Sequence, residues 1–201
     1  MSSYPIPYVT TRTPAGERTQ DIYSRLLAER VIYLGTAVDD GVANTVIAQL
    51  IHLESESPDL PVQLYLNSPG GQIPAVLAIY DAMQYVRPAV HTTCVGQAAS
   101  TAAVLLAGGA AGHRAMLAHG RVVIHAPAGQ QRGTIPDLIL EAEEVARVRT
   151  MLEELLAAHT GKSPAQIRED TQRDLILTAA AALDYGVVDA VLTSRDPVEL
   201  E

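Results

Sequence analysis

The chain has 201 residues, 48% of them hydrophobic and 18% charged, with a formal net charge of −9. That balance fits one globular domain with a substantial core and excludes a disordered chain. The acidic excess argues against a surface for nucleic acid or anionic membrane, since both attract basic patches. The absence of Trp and Phe makes the expected core aliphatic, and the single cysteine, Cys94, excludes an intrachain disulfide or a cysteine-rich zinc site. A lone thiol suits a cytoplasmic location. The start, Met1-Ser-Ser-Tyr-Pro-Ile-Pro-Tyr, lacks the basic and apolar regions of a secretory signal. Thr101 to Ala111, the longest apolar stretch, is too short to span a bilayer.

Residues 1–18 hold three prolines and a glycine without hydrophobic period, and read as an arm or loop. A first helix is expected from about Gln20 to Glu29, then a strand over Val31 to Gly35. Asp39 or Asp40 caps a helix to about Glu54 with apolar Val42, Val46, Ile47, Leu50 and Leu53. Val62 to Leu66 is the next strand, followed by Asn67-Ser68-Pro69-Gly70-Gly71. Pro74 suits the first turn of a helix from about Ala75 to Val86. Val90 to Val95 reads as a buried strand, Gly96 as a tight turn, and the following run of small residues as a helix with Ser100 at its entry. Arg121-Val122-Val123-Ile124 is a further strand, closed by His125. Strands therefore begin near 31, 62, 90 and 121 with helices between them, the pattern of parallel strands joined by crossover helices.

Residues 126–133 are a glycine-rich loop. A long helix is expected from about Pro136 to His159, with Val145, Val148, Leu152, Leu155 and His159 as an apolar stripe and Glu141, Glu143, Glu144, Glu153 and Glu154 on the wet face. Self-association and packing back on the core both fit that stripe. Gly161 stops the helix. Ser163-Pro164-Ala165-Gln166 starts a short one, and Thr178 and Gly186 bound another. Val187 to Leu192 is a last strand before a charged tail containing Pro197.

Nucleophilic hydrolysis needs a hydroxyl, a base, a group that orients the base, and donors for the oxyanion. Ser100, at a strand-to-helix junction, is either a helix cap or a nucleophile. His125 ends an apolar strand, where packing does not call for a histidine. Gly70-Gly71 can turn backbone N–H groups towards a substrate. Asp81, Asp137, Asp170, Asp174, Asp184 and Asp189 are all candidates to orient an imidazole, and spacing does not choose among them. The glycine-x-serine-x-glycine elbow is absent.

Taken together, Asp21-Ile22-Tyr23-Ser24-Arg25-Leu26-Leu27, Asn67-Ser68-Pro69-Gly70-Gly71, Ala78-Ile79-Tyr80-Asp81-Ala82-Met83-Gln84, Gly96-Gln97-Ala98-Ala99-Ser100, Ile124-His125, His159-Thr160-Gly161 and Asp170-Thr171-Gln172-Arg173-Asp174 resemble the proteolytic subunit of the Clp protease, ClpP, in the guise of a divergent paralogue. The resemblance runs from about residue 15 to 195. It implies an α/β fold, a ClpP/crotonase-like βα spiral head with a projecting handle helix at about 130–160. Residues 19–195 would form one peptidase domain, 1–18 an N-terminal axial loop or arm, and 196–201 a tail. By resemblance Ser100 is the nucleophile, His125 the general base and Asp174 the orienting carboxylate, with backbone N–H groups of Gly71 and Thr101 as oxyanion donors.

The family forms two stacked heptameric rings, homomeric or mixed with a paralogous subunit, fed with unfolded polypeptide by a AAA+ unfoldase. It uses no cofactor or metal of its own, ATP being consumed by the unfoldase only. Its unfoldase and activator dock is matched by Arg25, Leu26, Glu29, Ile51, Gln63, Tyr65, Tyr85 and Leu192, with Gln63 where an aromatic is usual. Thr101 replaces the usual methionine after the serine, Ala126 the usual glutamine after the histidine, and Gln172 a usual acidic residue. Ala128, Pro74 and Val76 are further departures near the site. Three functions compete: a self-compartmentalised serine endopeptidase, a weakly active or regulatory paralogue in a mixed complex, and a coenzyme A enzyme on the same fold, for which no adenine or pantetheine site is evident.

Overall fold

The computed structural model describes residues 5–14, 16–127 and 134–194. It opens on a hairpin where the sequence reading expects a loop: β1 (Tyr8–Thr13) and β2 (Gly16–Asp21) pair antiparallel, with Gly16 at φ +123°. The hairpin has no apolar face, so hydrophobic alternation does not reveal it. Its side chains hold by cross-strand pairs instead, Thr10 with Thr19 at 2.9 Å and Arg12 with Glu17 at 2.9 Å.

The head is a seven-stranded sheet flanked by helices. Asp21 caps α1 (Ile22–Ala28), which leads to β3 (Val31–Leu34). Asp39 caps α2 (Asp40–Glu56), whose Ala43, Val46, Leu50 and Leu53 face the core at helical spacing. β4 (Val62–Ser68) buries Val62, Leu64, Leu66 and Ser68 in strict alternation. α3 (Ile73–Tyr85) has Pro74 in its first turn and buries Ala75, Val76, Ile79, Tyr80 and Met83. The core these residues share is aliphatic, as the composition requires; each fully buried Leu or Ile contributes roughly 1.5–3 kcal/mol.

The central strand, β5 (Val90–Ala99), departs from the expected strand-turn-helix. It continues through Gly96 to Ala99, and Gly96 makes no turn. A Cβ there would lie 2.5 Å from Oδ1 of Asn67, so glycine serves close approach of a side chain. β5 pairs β4 along one edge. On the other it pairs first β6 (Arg114–Leu117), through Thr92–Cys94, and then β7 (Arg121–Ile124), through Gln97–Ala99. The strands β3, β4, β5, β6 and β9 (Ala190–Leu192) run parallel in that order. β8 (Leu175–Thr178) adds antiparallel to β7, with Ile124 opposite Leu175. Neither β6 nor β8 is anticipated by the sequence reading, because both are four-residue strands without a repeating apolar pattern.

α4 (Ala102–Ala107) is wholly buried. α5 (Ile135–Thr160) is the long helix, opened by a capping box of Thr134 and Asp137 and closed by Gly161 at φ +71°. Its C-terminal half buries Leu152, Leu156 and Ala157, while Ile135, Leu138, Ile139 and Leu140 in the first half are exposed. The helix thus packs at one end and projects at the other. Glu143, Glu144 and Glu154 are exposed as expected, but Glu153 is not on the wet face. It is buried, accepting hydrogen bonds from Arg149 at 2.8 Å and from Arg168 of α6 (Pro164–Asp170) at 2.6 Å. Helical period separates apolar from polar faces but does not anticipate a carboxylate neutralised by two guanidinium groups. α7 (Ala179–Tyr185) lies between the Thr178 cap and Gly186.

Candidate active site

Parallel pairing carries the candidate residues to one end of the sheet, the carboxyl ends of its strands. Ala99 of β5 is opposite Val123 of β7, and the Ser100 N–H donates to the Val123 carbonyl at 2.7 Å. Ser100 and His125 therefore leave adjacent strand ends together. Because Ile124 faces Leu175, Asp174 enters β8 beside His125. On the other side Ser68 pairs with Ala98, which brings Gly70 and Gly71 to Ser100.

Ser100 has φ +55°, a left-handed conformation that costs a non-glycine residue about 1–2 kcal/mol. It is not the helix cap: the N-cap of α4 is Thr101, and no side chain caps that helix. The strained turn is held by neighbouring backbone. Gly70 has φ +89°, and a Cβ on it would lie 2.6 Å from the Ala99 carbonyl and 2.9 Å from the Ser100 Cβ. A Cβ on Gly71 would run into the backbone of Val38, with which it forms an isolated parallel bridge. The buried Ser68 hydroxyl donates to the Thr36 carbonyl at 2.6 Å and accepts from the Gly70 N–H at 3.1 Å.

Ser100 and His125 line one cavity of about 300 Å³ with Gly71 and Thr101; Ile73, Val104, Leu152 and Leu156 form its apolar wall. Sequence reasoning does not single out this wall, although Leu152 is in the long-helix stripe. Val76 lies in the core and Ile73 supplies the contact at the cavity. His125 also borders a second cavity of about 310 Å³ with Ala126, Gln172, Arg173 and Asp174. Between them Nδ1 of His125 lies 3.5 Å from Oδ1 of Asp174, with the imidazole 41% and the carboxylate 65% exposed.

Other aspartates have other partners. Asp170 accepts from the Tyr185 hydroxyl at 2.7 Å, Asp189 pairs with Arg114, and Asp137 caps α5. The Thr101 N–H has no acceptor among the described residues, whereas the Gly71 N–H donates to the Thr101 hydroxyl at 3.1 Å. Ala128 lies outside the described residues, as does the tail from residue 195 onward. Among the described residues no group of three or more His, Cys, Asp or Glu is arranged to hold a metal ion.

Of the eight positions expected to form a dock, Leu192 lies apart from those on α1 and β4 within one chain. Arg25, Leu26 and Glu29 belong to α1 and its end, which packs on β3, next to Gln63 and Tyr65 of β4. Arg25 and Glu29 form an ion pair at 2.5 Å. Leu192 sits on β9, across β5 and β6 from β4, at the far side of the sheet. Ile51 and Tyr85 are exposed on α2 and α3. Gln63 is bonded through Nε2 to Nδ1 of His91 at 3.1 Å, and His91 stacks on His113 with centroids 4.0 Å apart. Burial and the neighbouring His113 hold the His91 pKa below its ordinary value.

A left-handed serine beside backbone N–H groups and a histidine–carboxylate pair, at the end of the sheet where the parallel strands finish, has the make-up of a serine hydrolase. The model of the family described as Clp protease matches residues 14–195, and the chain belongs to that family, whose members are serine-type endopeptidases. It is 59% identical to ATP-dependent Clp protease proteolytic subunit 1 of Nocardia farcinica over 97% of this chain and 100% of that one. It is 55% identical to ATP-dependent Clp protease proteolytic subunit 4 of Rhodococcus jostii over 96% and 100%. Against ATP-dependent Clp protease proteolytic subunit 2 of Streptomyces avermitilis the identity is 54% over 97% and 98%. The α/β head with its projecting helix agrees with the expected fold class. Among the described residues no helix is long and apolar enough to cross a membrane.

Proposed function

We propose that this proteolytic subunit cleaves unfolded polypeptides with Ser100 as nucleophile, His125 as general base and Asp174 as the carboxylate that orients the imidazole. The adjacency of His125 and Asp174, with His125 lining the same cavity as Ser100, carries this reading. His125 takes the Ser100 proton as Oγ attacks the scissile carbonyl, then returns it to the leaving amine. Asp174 accepts from Nδ1–H and stabilises the imidazolium. The backbone N–H groups of Gly71 and Thr101 receive the oxyanion, and a water repeats the sequence to release the acyl group. The steps need no metal or cofactor; ATP is used by a AAA+ Clp unfoldase that feeds the chain. The subunit works in stacked heptameric rings in the cytoplasm, with the exposed apolar end of α5 between rings and the N-terminal hairpin at the axial entrance. The two-sided distribution of the docking positions supports an unfoldase pocket completed by a ring neighbour.

A second reading has its own support. The 3.5 Å separation of His125 and Asp174, and the prior engagement of the Gly71 N–H, favour a weakly active or regulatory subunit in a mixed complex with a partner ring. Peptide turnover by the purified protein, alone and with a paralogous subunit added, decides between them. Turnover alone that is lost in Ser100→Ala supports autonomous activity. Turnover only in the mixture, insensitive to Ser100→Ala, assigns the chemistry to the partner.

A further inference from the structure

The Thr101 side chain engages the Gly71 N–H, one of the two backbone donors assigned above to the oxyanion. Thr101 is only 5% exposed, and its hydroxyl accepts from the Gly71 N–H at 3.1 Å while directing its own proton towards the Gly71 carbonyl at 3.4 Å. Gly71 and Thr101 line the same cavity as Ser100. One of the two backbone donors there is thus satisfied internally, and the other, the Thr101 N–H, has no acceptor among the described residues.

We propose that the Thr101 hydroxyl is a positioning group that holds the Gly71 N–H in the resting site and yields it to the tetrahedral oxyanion. The inference rests on the assignment of Ser100 as nucleophile. It adds a competition: each turnover exchanges a neutral hydroxyl acceptor for an oxyanion at the same N–H. Hydrogen bonds to an ionised acceptor are roughly twice as strong as those to a neutral one, so the exchange runs towards the oxyanion but recovers only part of the donor's strength. A ground-state carbonyl, being neutral, gains nothing over the hydroxyl. In the wild type the donor therefore adds nothing to binding of a neutral ground state and is given up only to the oxyanion.

A peptidyl boronate, which forms a tetrahedral adduct on a serine, reads the competition directly. Thr101→Val and Thr101→Ala both delete the hydroxyl, the first at constant volume, so a folding defect in one leaves the other to be read. Each is expected to bind the boronate about three- to tenfold more tightly than the wild type, the range of one recovered hydrogen bond. Affinity for a shorter peptide that ends before the scissile residue, and so places no group at the Gly71 N–H, stays fixed. Thr101→Ser, which keeps the hydroxyl, returns the boronate-to-peptide affinity ratio to the wild-type value. Boronate binding that is unchanged or weaker in both deletions overturns the proposal. Boronate binding that survives Ser100→Ala instead overturns the assignment of the nucleophile, a different outcome from a failed hydroxyl effect.

Discussion

The His125 imidazole meets the Asp174 carboxylate at 3.5 Å, at a point where two strands of opposite direction come side by side and both groups reach solvent. A buried orienting carboxylate supplies roughly 10⁴ in kcat. An exposed carboxylate at this distance shares the imidazole with water. Asp174→Asn is expected to lower kcat by on the order of 10², clearly less than His125→Ala, with little change in KM. Steady-state peptide hydrolysis checks the order of the two variants.

Ser100 stays in a left-handed conformation without being glycine. Replacing it by glycine removes the strain, whereas alanine keeps it. Ser100→Gly is expected to be more stable than Ser100→Ala by about 1 kcal/mol, the usual size of a left-handed penalty for a residue with a Cβ. Both variants are expected to be inactive, so the comparison of their unfolding midpoints isolates the backbone term.

How much of this was legible in the chain divides along physical lines. α2, α3 and α5 follow from apolar spacing and caps, and their bounds come within a few residues of expectation. The repeated spacing of strands correctly implied parallel pairing, which is what assembles Ser100 and His125. Only resemblance singles out Asp174 in the sequence. The element that delivers it, β8, is too short to leave a pattern, and six aspartates were equal without it. Gly96 reads as a turn from the sequence because a glycine needed for close approach looks identical to a glycine needed for a turn. The Gly71–Thr101 bond joins residues thirty apart through a loop, and no local rule anticipates it.

The contact behind Gly96 is testable by coupling. Gly96→Ala pushes on Asn67, whose Oδ1 also accepts from the Gln97 N–H at 3.2 Å. The single variant is expected to cost about 1–3 kcal/mol by overpacking. Asn67→Ala removes the obstacle as well as the hydrogen bond. The double variant is therefore expected to be less destabilised than the sum of the singles by at least about 0.5 kcal/mol in a denaturation cycle.

Glu153 ties α5 to α6. Burial pushes its carboxyl pKa up, but the hydrogen bonds from Arg168 and Arg149 outweigh that and leave it below the ordinary value. A pKa lowered on folding contributes stability above the unfolded value near 4.5, which is lost as pH falls through the folded value. Both arginines are partly in solvent, so Glu153→Gln is expected to cost only about 2 kcal/mol near neutral pH. The difference from wild type stays level down to pH about 5.5 and shrinks in stronger acid. Urea unfolding across that range checks the sign.

Gln63 offers an amide, already bonded to His91, at a position that the proposed dock would fill with an aromatic ring. Gln63→Tyr is expected to tighten binding of an acyldepsipeptide-type activator by about tenfold, corresponding to roughly 1–2 kcal/mol for a recovered aromatic contact. Titration of peptidase activation reads it, and an unchanged midpoint removes Gln63 from the docking account.

The central claim is that His125 activates the Ser100 hydroxyl. Its most direct test is the rate at which a fluorophosphonate probe adds to the purified protein, followed by intact mass and mapped by peptide fragmentation. The account predicts one adduct, on Ser100, with a rate that falls by on the order of 10²–10⁴ in His125→Ala. An adduct on another residue, or equal rates in wild type and His125→Ala, contradicts it.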